Sequence, residues 1–424
     1  MAIFRPFCAV RPSREKAAEV AALPYDVMSS KEARVICNDA PLSFLHVDKA
    51  EVDLPEGVDL YSDEVYRKAA DNLKALIESG VLIRDNDRCF YLYQEIMDGR
   101  SQTGVVGCAS VDDYRNGVIK KHELTVQEKE EDRVRHVDTC NANTGLIFLA
   151  FRKSVQMEQR IWEIISSEEP LYDFTADDGV KHVVWKISDP RDISLFEKSF
   201  SDMPALYIAD GHHRTASAAR VGELRRQQNP DYTGEEEFNF FLAAAFPADE
   251  LRIIDYNRIV KDLAGLSRDE FLDKVRESFE VERLLDPRGD RESDLMYYKP
   301  EQPHTISMYL EKTWYRLTVR RTVYDPDNPV DRLDVSILQN RLLGPILGIK
   351  DPRCDSRIGF IGGIRGIREL KDRVDRGDAA VAFAMYPTQM NDLMEIADAG
   401  SIMPPKSTWF EPKLRSGLFI HELS

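Results

Sequence analysis

The stretch with the most chemically capable side chains is residues 206–214, LYIADGHHR. Its apolar start predicts a short buried strand, Asp210-Gly211 predicts a turn, and a helix is predicted from Thr215. A strand that turns through a glycine into a helix presents free backbone N–H groups and a positive helix dipole, which suits phosphate. An acid, two imidazoles and a guanidinium within five positions could hold a metal, bind a phosphate or move a proton.

Two other interpretations of this motif stay open from its own residues. Asp-Gly is common in turns, and adjacent side chains point apart unless the backbone bends, so the motif also fits a solvated turn. A structural zinc site needs four ligands at workable spacing. The sequence next to His212 and His213 offers no further ligands, which counts against zinc.

A second candidate segment is Lys121-His122-Glu123-Leu124-Thr125-Val126, which lies between a predicted strand and a charged helix. Side chains at such a boundary commonly face a site, so His122 and Glu123 are candidates for chemistry. The charged residues after Gln127 predict a solvated helix whose internal ion pairs each contribute little.

A third segment, residues 403–413, contains three prolines that predict a rigid loop. Lys406, Ser407 and Thr408 place one cation and two hydroxyls together there, which would make an anion cradle. A proline-stiffened surface turn accounts for the same residues.

The elements that must position these segments follow from hydrophobic periodicity and turn signals. They alternate between strands and helices, which predicts a mixed α/β (α+β) fold. Strands are predicted at 90–93 and 104–108, with a turn around Asp98-Gly99 between them, and at 146–150, 182–187, 206–209, 238–246 and 378–386, with a hairpin at 304–319. Helices are predicted between Ser62 and Gly80, around Met157 to Ile165, after a capping box of Ser267 and Glu270, at 333–344 and at 388–397.

Composition limits the classes of function. The 424 residues suffice for two or three domains, and 43% hydrophobic residues are ordinary for a globular chain. The net charge of -17 opposes nucleic acid in general, although magnesium and a focused cationic pocket would still allow a nucleotide. Six cysteines without a C-x-x-C pair, no signal peptide and no long apolar run predict a soluble, cytoplasmic protein without disulfides or a membrane span.

Together the three motifs resemble known sequences. Residues 208–214 resemble the phosphate-binding motif of the ParB/sulfiredoxin-like superfamily, in the form found in the archaeal free serine kinase. Residues 121–126 are similar to that kinase's segment carrying its catalytic glutamate, and residues 375–408 to its C-terminal stretch. The whole chain also resembles bacterial domain-of-unknown-function family 1015, notably at Pro24-Tyr25-Asp26-Val27 and residues 403–413.

This resemblance implies a kinase that transfers a phosphoryl group from ATP or ADP, with Mg²⁺, to free L-serine, giving O-phospho-L-serine. It implies Glu123 as general base, His122 and Thr408 as substrate contacts, and Asp210 as a residue that places Mg²⁺ or the catalytic His212. The implied phosphate ligands are Gly211, His212, His213, Arg214, Lys406, Ser407 and Thr408.

The chain departs from the kinase in two places. Glu123 and Asp210 are 87 positions apart, which implies an insertion near residues 135–204. The first 88 residues have no counterpart in the kinase, and an acid there, Asp26 or Glu32, is an alternative base. The expected division is an N-terminal α/β segment at 1–88, a nucleotide-binding ParB/sulfiredoxin-like core at 89–248 and a C-terminal α/β domain at 249–424 that closes the site.

Other functions on this fold remain open. A ParB-like nucleotide-dependent DNA clamp would need basic elements after Arg214, where the chain offers only Arg220, Arg225 and Arg226 before an acidic loop. Sulfiredoxin-like repair would need a cysteine at the position of His212, so its nucleophile is missing. A phosphoserine phosphatase, or a kinase of a related alcohol such as homoserine, cannot be separated by sequence because pocket shape sets specificity.

Overall fold

The structure, a computed structural model, describes residues 2–285 and 292–424. Their contacts divide the chain into two compact units. The first unit is Met1–Leu251 with Pro412–Ser424, and the second is Arg252–Glu411. The chain therefore leaves the first unit once and returns to it for its last residues.

The first unit contains most of the strands and helices. Its strands are β1 (Phe4–Arg5), β2 (Val10–Pro12), β3 (Leu82–Arg84), β4 (Phe90–Met97), β5 (Arg100–Ser110), β6 (Ile119–Lys120), β7 (Ala142–Asn143), β8 (Ile147–Phe151), β9 (Tyr172–Thr175), β10 (Lys181–Ile187), β11 (Leu206–Asp210), β12 (Phe240–Pro247) and, at the end of the chain, β21 (His421–Glu422). Its helices are α1 (Ala17–Val20), α2 (Ser30–Asp39), α3 (Leu45–Asp48), α4 (Asp63–Glu78), α5 (Val111–Arg115), α6 (Gln127–Cys140), α7 (Val155–Ser167), α8 (Pro190–Ser201) and α9 (His212–Gln228).

A nine-stranded mixed sheet organises this unit in the order β6-β11-β8-β12-β5-β4-β10-β9, with β1 beside β5. β6 runs parallel to β11, and β8 parallel to β12, while the other neighbours are antiparallel. Every residue of β8 is buried, as its continuous apolar run predicts for a central strand. Apolar side chains of the sheet form one core with residues of α7, α8 and α9, such as Ile161, Phe196 and Ala218.

The first 88 residues and the last 13 are built into the first unit. β1 adds to the large sheet and β2 pairs with β3. The C-terminal segment Pro412–Ser424 pairs through β21 with β7, and its Ile420 bridges to Val10. This segment thereby carries Lys413 and Arg415 into the first unit. The three-domain division expected from the sequence stays a prediction.

The second unit is built on a six-stranded antiparallel sheet. The strands of the second unit are β13 (Ile253–Ile254), β14 (Tyr256–Val260), β15 (Phe279–Leu284), β16 (Thr305–Leu310), β17 (Thr313–Val319), β18 (Ile358–Gly362), β19 (Val381–Ala384) and β20 (Trp409–Phe410). Its helices are α10 (Arg268–Ser278), α11 (Glu292–Leu295), α12 (Asp334–Leu338), α13 (Gly366–Asp375) and α14 (Met390–Asp398). The sheet order is β15-β17-β16-β19-β14-β18, and β13 pairs with β20. Side chains of α10 and α12 pack on this sheet in its core.

The mixed α/β fold class is confirmed. Two differences in the elements bear on the site. α9 begins at His212 instead of Thr215, so both imidazoles lie in its first turn. The prediction that α6 is a solvated helix is wrong on one face, because His136 is buried and only 11% of the Arg133 side chain is exposed. None of the helices in the described residues combines the length and apolar character that crossing a membrane requires.

Candidate active site

The parallel pairing of β6 with β11 creates the site. Leu206 lies opposite Ile119 and Tyr207 opposite Lys120, so the residues after both strands emerge at the same edge of the sheet. The backbone N–H of His122 donates to Nε2 of His212 at 3.4 Å. Their rings meet edge to face, with centroids 4.4 Å apart and an interplanar angle of 87°. One strand pair therefore brings together two motifs that lie far apart in the sequence.

The turn after β11 depends on Gly211. Its φ of 93° lies in the left-handed region, which glycine adopts without the steric cost of a Cβ. A Cβ at this position would lie 3.2 Å from Nε of Arg214, so the glycine also allows the guanidinium to fold back over the turn. The Gly211 N–H donates to Oδ1 of Asp210 at 2.8 Å. The turn thus sets the direction of both charged side chains.

Asp210 is held by a lysine from the end of the chain. Nζ of Lys413 donates to Oδ2 of Asp210 at 2.7 Å, and 12% of the lysine and 31% of the aspartate side chain are exposed. Burial alone would raise the pKa of Asp210, but the charges of Lys413 and Arg214 outweigh it and hold that pKa well below its usual range. Asp210 is therefore an anion at every physiological pH.

The same ion pair argues against Asp210 as a metal ligand. A magnesium ion would occupy the oxygen that already accepts from an ammonium group, and two cations at one carboxylate oxygen repel each other. Mg²⁺ binding through Asp210 would first require Lys413 to leave. The contacts of Asp210 thus do not fit the predicted metal role.

The two buried histidines of the site are neutral. Burial lowers the pKa of His122 to about 4, although the Asp210 charge and the Ile208 carbonyl favour its protonated form. Burial and the neighbouring His122 lower the pKa of His212 well below its usual value. Within the described residues, neither ring nitrogen of His122 has a hydrogen-bond partner of good geometry. A buried polar atom left without a partner costs about 1–3 kcal/mol.

His122, Glu123 and His212 form a cluster of potential metal ligands. Each offers one ligand atom, and these three atoms lie within 4.8 Å of one another. The two histidines are buried and Glu123 is half-buried. The fold thus brings two potential ligands from the segment after β6 close to His212, although the sequence next to His212 and His213 offers none.

His213 has a different environment. Its Nε2 accepts the backbone N–H of Val126 at 3.0 Å, and its carbonyl accepts the Ser217 hydroxyl at 2.6 Å. The first contact holds the segment between β6 and α6 against the start of α9. His213 therefore positions Glu123 indirectly, and its predicted contact with phosphate stays a prediction.

A small, partly open cavity lies beside Arg214 in the first unit. Its lining includes Tyr25, Asp48, Arg133, Thr144 and Arg214. The Arg133 guanidinium lies over the Tyr25 ring, 4.1 Å from its centroid. Nη1 of Arg214 donates to the Leu146 carbonyl at 2.5 Å, whereas its buried Nε has no partner within the described residues. Two guanidinium groups at one cavity suit a carboxylate or a phosphate.

The structure places seven of the predicted site residues in one neighbourhood of the first unit. These are His122, Glu123, Asp210, Gly211, His212, His213 and Arg214. Lys406, Ser407 and Thr408 belong to the second unit, and their predicted role stays a prediction. In that unit Lys406 has a φ of 58° and its carbonyl accepts from Arg258 at 3.0 Å, while the buried Ser407 hydroxyl donates to the Pro404 carbonyl at 2.6 Å.

Sequence reasoning missed four residues near the site. Lys413 lies inside the proline-rich motif, and Tyr25 inside the segment interpreted as a proline-fixed loop. Arg133 lies in the helix interpreted as solvated, and Asp48 carried no signal. Glu32 is one of the two alternative bases. Its carboxylate accepts from the Ser29 N–H and hydroxyl in the capping box of α2.

The family-model comparison decides the family. The model described as "Protein of unknown function (DUF1015)" matches residues 4–336, well over half of the chain. The chain belongs to the DUF1015 family. This confirms the family resemblance of its sequence.

Other comparisons are more distant. No curated protein matches this DUF1015 chain. Among solved structures, a free serine kinase in complex with AMP is 13% identical, with 74% of this chain and 91% of that chain covered and a TM-score of 0.36. A conserved hypothetical protein from Pyrococcus furiosus is 12% identical, with 74% and 94% covered and a TM-score of 0.35. SbnI with a C-terminal truncation from Staphylococcus aureus is 10% identical, with 73% and 84% covered and a TM-score of 0.36. Because these TM-scores are below 0.5, function is inferred from the site residues.

Proposed function

We propose that this DUF1015 protein is a small-molecule kinase that transfers a phosphoryl group from ATP or ADP to the hydroxyl of free L-serine. The observation that carries the proposal is the pairing of β6 with β11, which sets Glu123 beside the turn at Gly211. Phosphoryl transfer needs positioning and charge neutralisation more than covalent help. A carboxylate base next to a cationic helix start supplies both.

The phosphate-holding half of the proposed site is the start of α9. A helix N-terminus attracts anions through its free N–H groups and its dipole. Arg214 lies in the first turn of this helix, and its charge is fixed because the carboxylates of Asp26 and Asp210 outweigh the effect of burial and raise its pKa. The donor phosphates would bind here, and Mg²⁺ would arrive with the nucleotide.

Glu123 is the proposed general base. It is half-buried at the edge of the site, and it lies beside two imidazoles that are neutral at pH 7. As a carboxylate, Glu123 would accept the proton of the serine hydroxyl. Asp210 would act as a positioning residue, because its fixed negative charge favours a proton on His122 and His212.

The proposal extends to the acceptor and to the second unit. In the cavity beside Arg214, that guanidinium could bind the carboxylate of an amino acid, whereas Arg133 is already paired with Asp132; this favours serine over a simple alcohol. Lys406, Ser407 and Thr408 are proposed to contact the transferred phosphate, with Thr408 and His122 also contacting the acceptor. A preference for an amino acid as acceptor would distinguish this enzyme from a kinase of a neutral alcohol.

The contacts of α9 disfavour the DNA-clamp alternative. Arg220 pairs with Glu131 at 2.7 Å, and Arg225 with Asp138 at 2.8 Å. Arg226 likewise pairs with Asp112 at 2.7 Å. Arginines already paired with carboxylates offer little charge to a phosphate backbone, whose neutralisation supplies most non-specific DNA affinity.

A coupled assay tests the proposal. Purified protein is incubated with serine or homoserine, Mg²⁺ and either ATP or ADP, and O-phosphoserine is measured by mass spectrometry in both directions. We expect phosphoserine from serine, with a loss of at least ~100-fold in kcat for Glu123→Ala, which is the usual effect of removing a general base. Glu128→Gln, at an exposed acid of α6, is the matched control.

Two outcomes would contradict different parts of this proposal. No phosphoserine with either donor, and none consumed in reverse, would refute the kinase. Near-normal kcat in Glu123→Ala would refute the base while leaving the reaction in place.

A further inference from the structure

The cluster of His122, Glu123 and His212 has the donor atoms of a transition-metal site. It offers two imidazole nitrogens and one carboxylate oxygen, all within 4.8 Å of one another. Tetrahedral zinc with bonds of about 2.1 Å needs ligand atoms about 3.4 Å apart. The ligand atoms would have to approach one another by up to about 1.4 Å, which rotation about the side-chain χ angles can supply.

His122 provides a second, independent indication of a ligand. It is 1% exposed, and within the described residues neither of its ring nitrogens has a hydrogen-bond partner of good geometry, although the Ile208 carbonyl lies close enough to favour its protonated form. Buried polar atoms in folded proteins are nearly always satisfied, so an imidazole with such poor hydrogen bonding beside other ligand groups indicates room for a further partner. Other buried histidines of the first unit do find partners: Nδ1 of His182 contacts the Tyr93 hydroxyl at 2.9 Å, and Nε2 of His136 contacts the Val47 carbonyl at 3.1 Å.

The fold holds these ligands on two rigid supports. His212 is fixed in the first turn of α9, and the backbone N–H of His122 donates to its Nε2 at 3.4 Å, a weak contact that a metal ion bound to this nitrogen would replace. His213 fixes the far end of the same segment through Val126. Glu123 lies between these two attachments, so its carboxylate has a restricted range of positions.

The donor set selects the class of metal. Mg²⁺ and Ca²⁺ prefer oxygen ligands, whereas imidazoles suit Zn²⁺, Fe²⁺, Co²⁺ and Ni²⁺. Two histidines and one carboxylate are the ligand types of both zinc enzymes and non-haem iron sites, and three protein ligands leave positions open for water or substrate oxygen.

We propose that His122, Glu123 and His212 bind one divalent transition-metal ion, distinct from the Mg²⁺ that accompanies a nucleotide. This inference goes beyond the proposed kinase activity, and it gives Glu123 a role that excludes its use as the general base at the same oxygen. The ion would satisfy the His122 ring and join the segment after β6 to the start of α9.

Direct metal binding tests the proposal. The untagged full chain is stripped with a chelator and titrated with Co²⁺, whose visible absorption reports its ligands, and then with Zn²⁺ in millimolar Mg²⁺. We expect one tight equivalent per chain that excess Mg²⁺ does not displace. Each of His122→Gln, Glu123→Gln and His212→Gln is expected to weaken binding at least ~10-fold, since losing even an outer-shell partner of a metal ligand reaches that size.

Controls keep the test decisive. His46→Gln changes a histidine that lies outside the cluster and contacts Asp53, and this variant is expected to keep the tight equivalent. Because His122 is buried, its variant could fail to fold, whereas Glu123→Gln is nearly isosteric at a half-buried position and circular dichroism verifies its fold. Absence of a tight equivalent, or an equivalent that folded Glu123→Gln and His212→Gln both keep unchanged, would overturn the proposal. Neither result depends on whether the kinase assay succeeds.

Discussion

Replacing Lys413 by methionine removes the ammonium that holds Asp210 ionised. At 2.7 Å the gross Coulomb attraction is about 6 kcal/mol for an effective dielectric constant of about 20, and desolvation offsets most of it. Removing one partner of a fully buried pair costs about 3–5 kcal/mol. Because 31% of the Asp210 side chain is exposed, water recovers part of that loss. We therefore expect Lys413→Met to destabilise this edge of the sheet by about 2 kcal/mol.

The pH dependence of this loss follows from the sign of the pKa shift. Asp210 has a pKa below its unfolded value, so its stabilising contribution is present above about pH 3.9 and is lost as the pH falls towards the folded pKa. In Lys413→Met the ammonium no longer lowers the pKa of Asp210, so that pKa is higher than in the wild type, although Arg214 and the Gly211 N–H still lower it. The stability gap between wild type and variant is therefore full at pH 7 and narrows as the pH falls through the pKa of Asp210 in the variant.

Amide hydrogen exchange measures the stability lost in Lys413→Met within the first unit alone. Peptides covering β11 and β8 are expected to exchange about 30-fold faster in Lys413→Met at pH 7, which corresponds to 2 kcal/mol of lost protection. The double variant Asp210→Asn/Lys413→Met removes both charges, and a double-mutant cycle then isolates their coupling. Equal protection in wild type and Lys413→Met at pH 7 would refute the reasoning, as would a gap in protection that widens as the pH falls.

Two further substitutions test the turn and its arginine. Gly211→Ala puts a Cβ on a residue whose φ is 93°, which costs about 1–2 kcal/mol, and this Cβ lies 3.2 Å from Nε of Arg214. We therefore expect lower thermal stability and, by calorimetry, weaker nucleotide binding. Gly179→Ala, with a φ of 82° and open space, shares only the backbone cost, so equal nucleotide affinities in the two variants would contradict the crowding argument. Arg214→Lys loses the planar fork that contacts the Leu146 carbonyl, and we expect KM for the phosphoryl donor to rise at least ~10-fold with a smaller change in kcat. Arg220→Lys on the same helix is the control, and an unchanged KM in Arg214→Lys would contradict the phosphate-binding role.

The sequence was sufficient where local patterns determine structure. The hairpin of β4 and β5 turns at Asp98-Gly99 as predicted, and the capping box of Ser267 and Glu270 starts α10. Each of these depends on residues a few positions apart, whose periodicity or turn chemistry is visible in one chain. The strand at 206–209 is also confirmed, because four consecutive buried residues mark it.

The sequence was insufficient where the site depends on distant pairing. Nothing in residues 119–120 shows that so short a strand pairs with β11, and a two-residue strand has no detectable period. Lys413 and Asp210 are separated in the sequence by the whole second unit, so no local sequence pattern indicates their contact. The buried face of α6 was hidden for another reason. Arg133 pairs with Asp132 and lies over Tyr25. Residue type alone does not distinguish a buried, paired arginine from a solvated one.

Glu123 connects the two proposals, and its two roles exclude each other at the same oxygen. A general base needs a carboxylate that can accept a proton, whereas a carboxylate bound to a divalent metal has a strongly lowered basicity. His122 and His212 differ in this respect, because they are neutral at pH 7 and can serve a metal without losing a proton. The binding titration therefore also bears on the mechanism. If the tight metal equivalent is present in the active protein, the proton of the serine hydroxyl must go to another group, and Glu123→Gln would then lose metal and activity together.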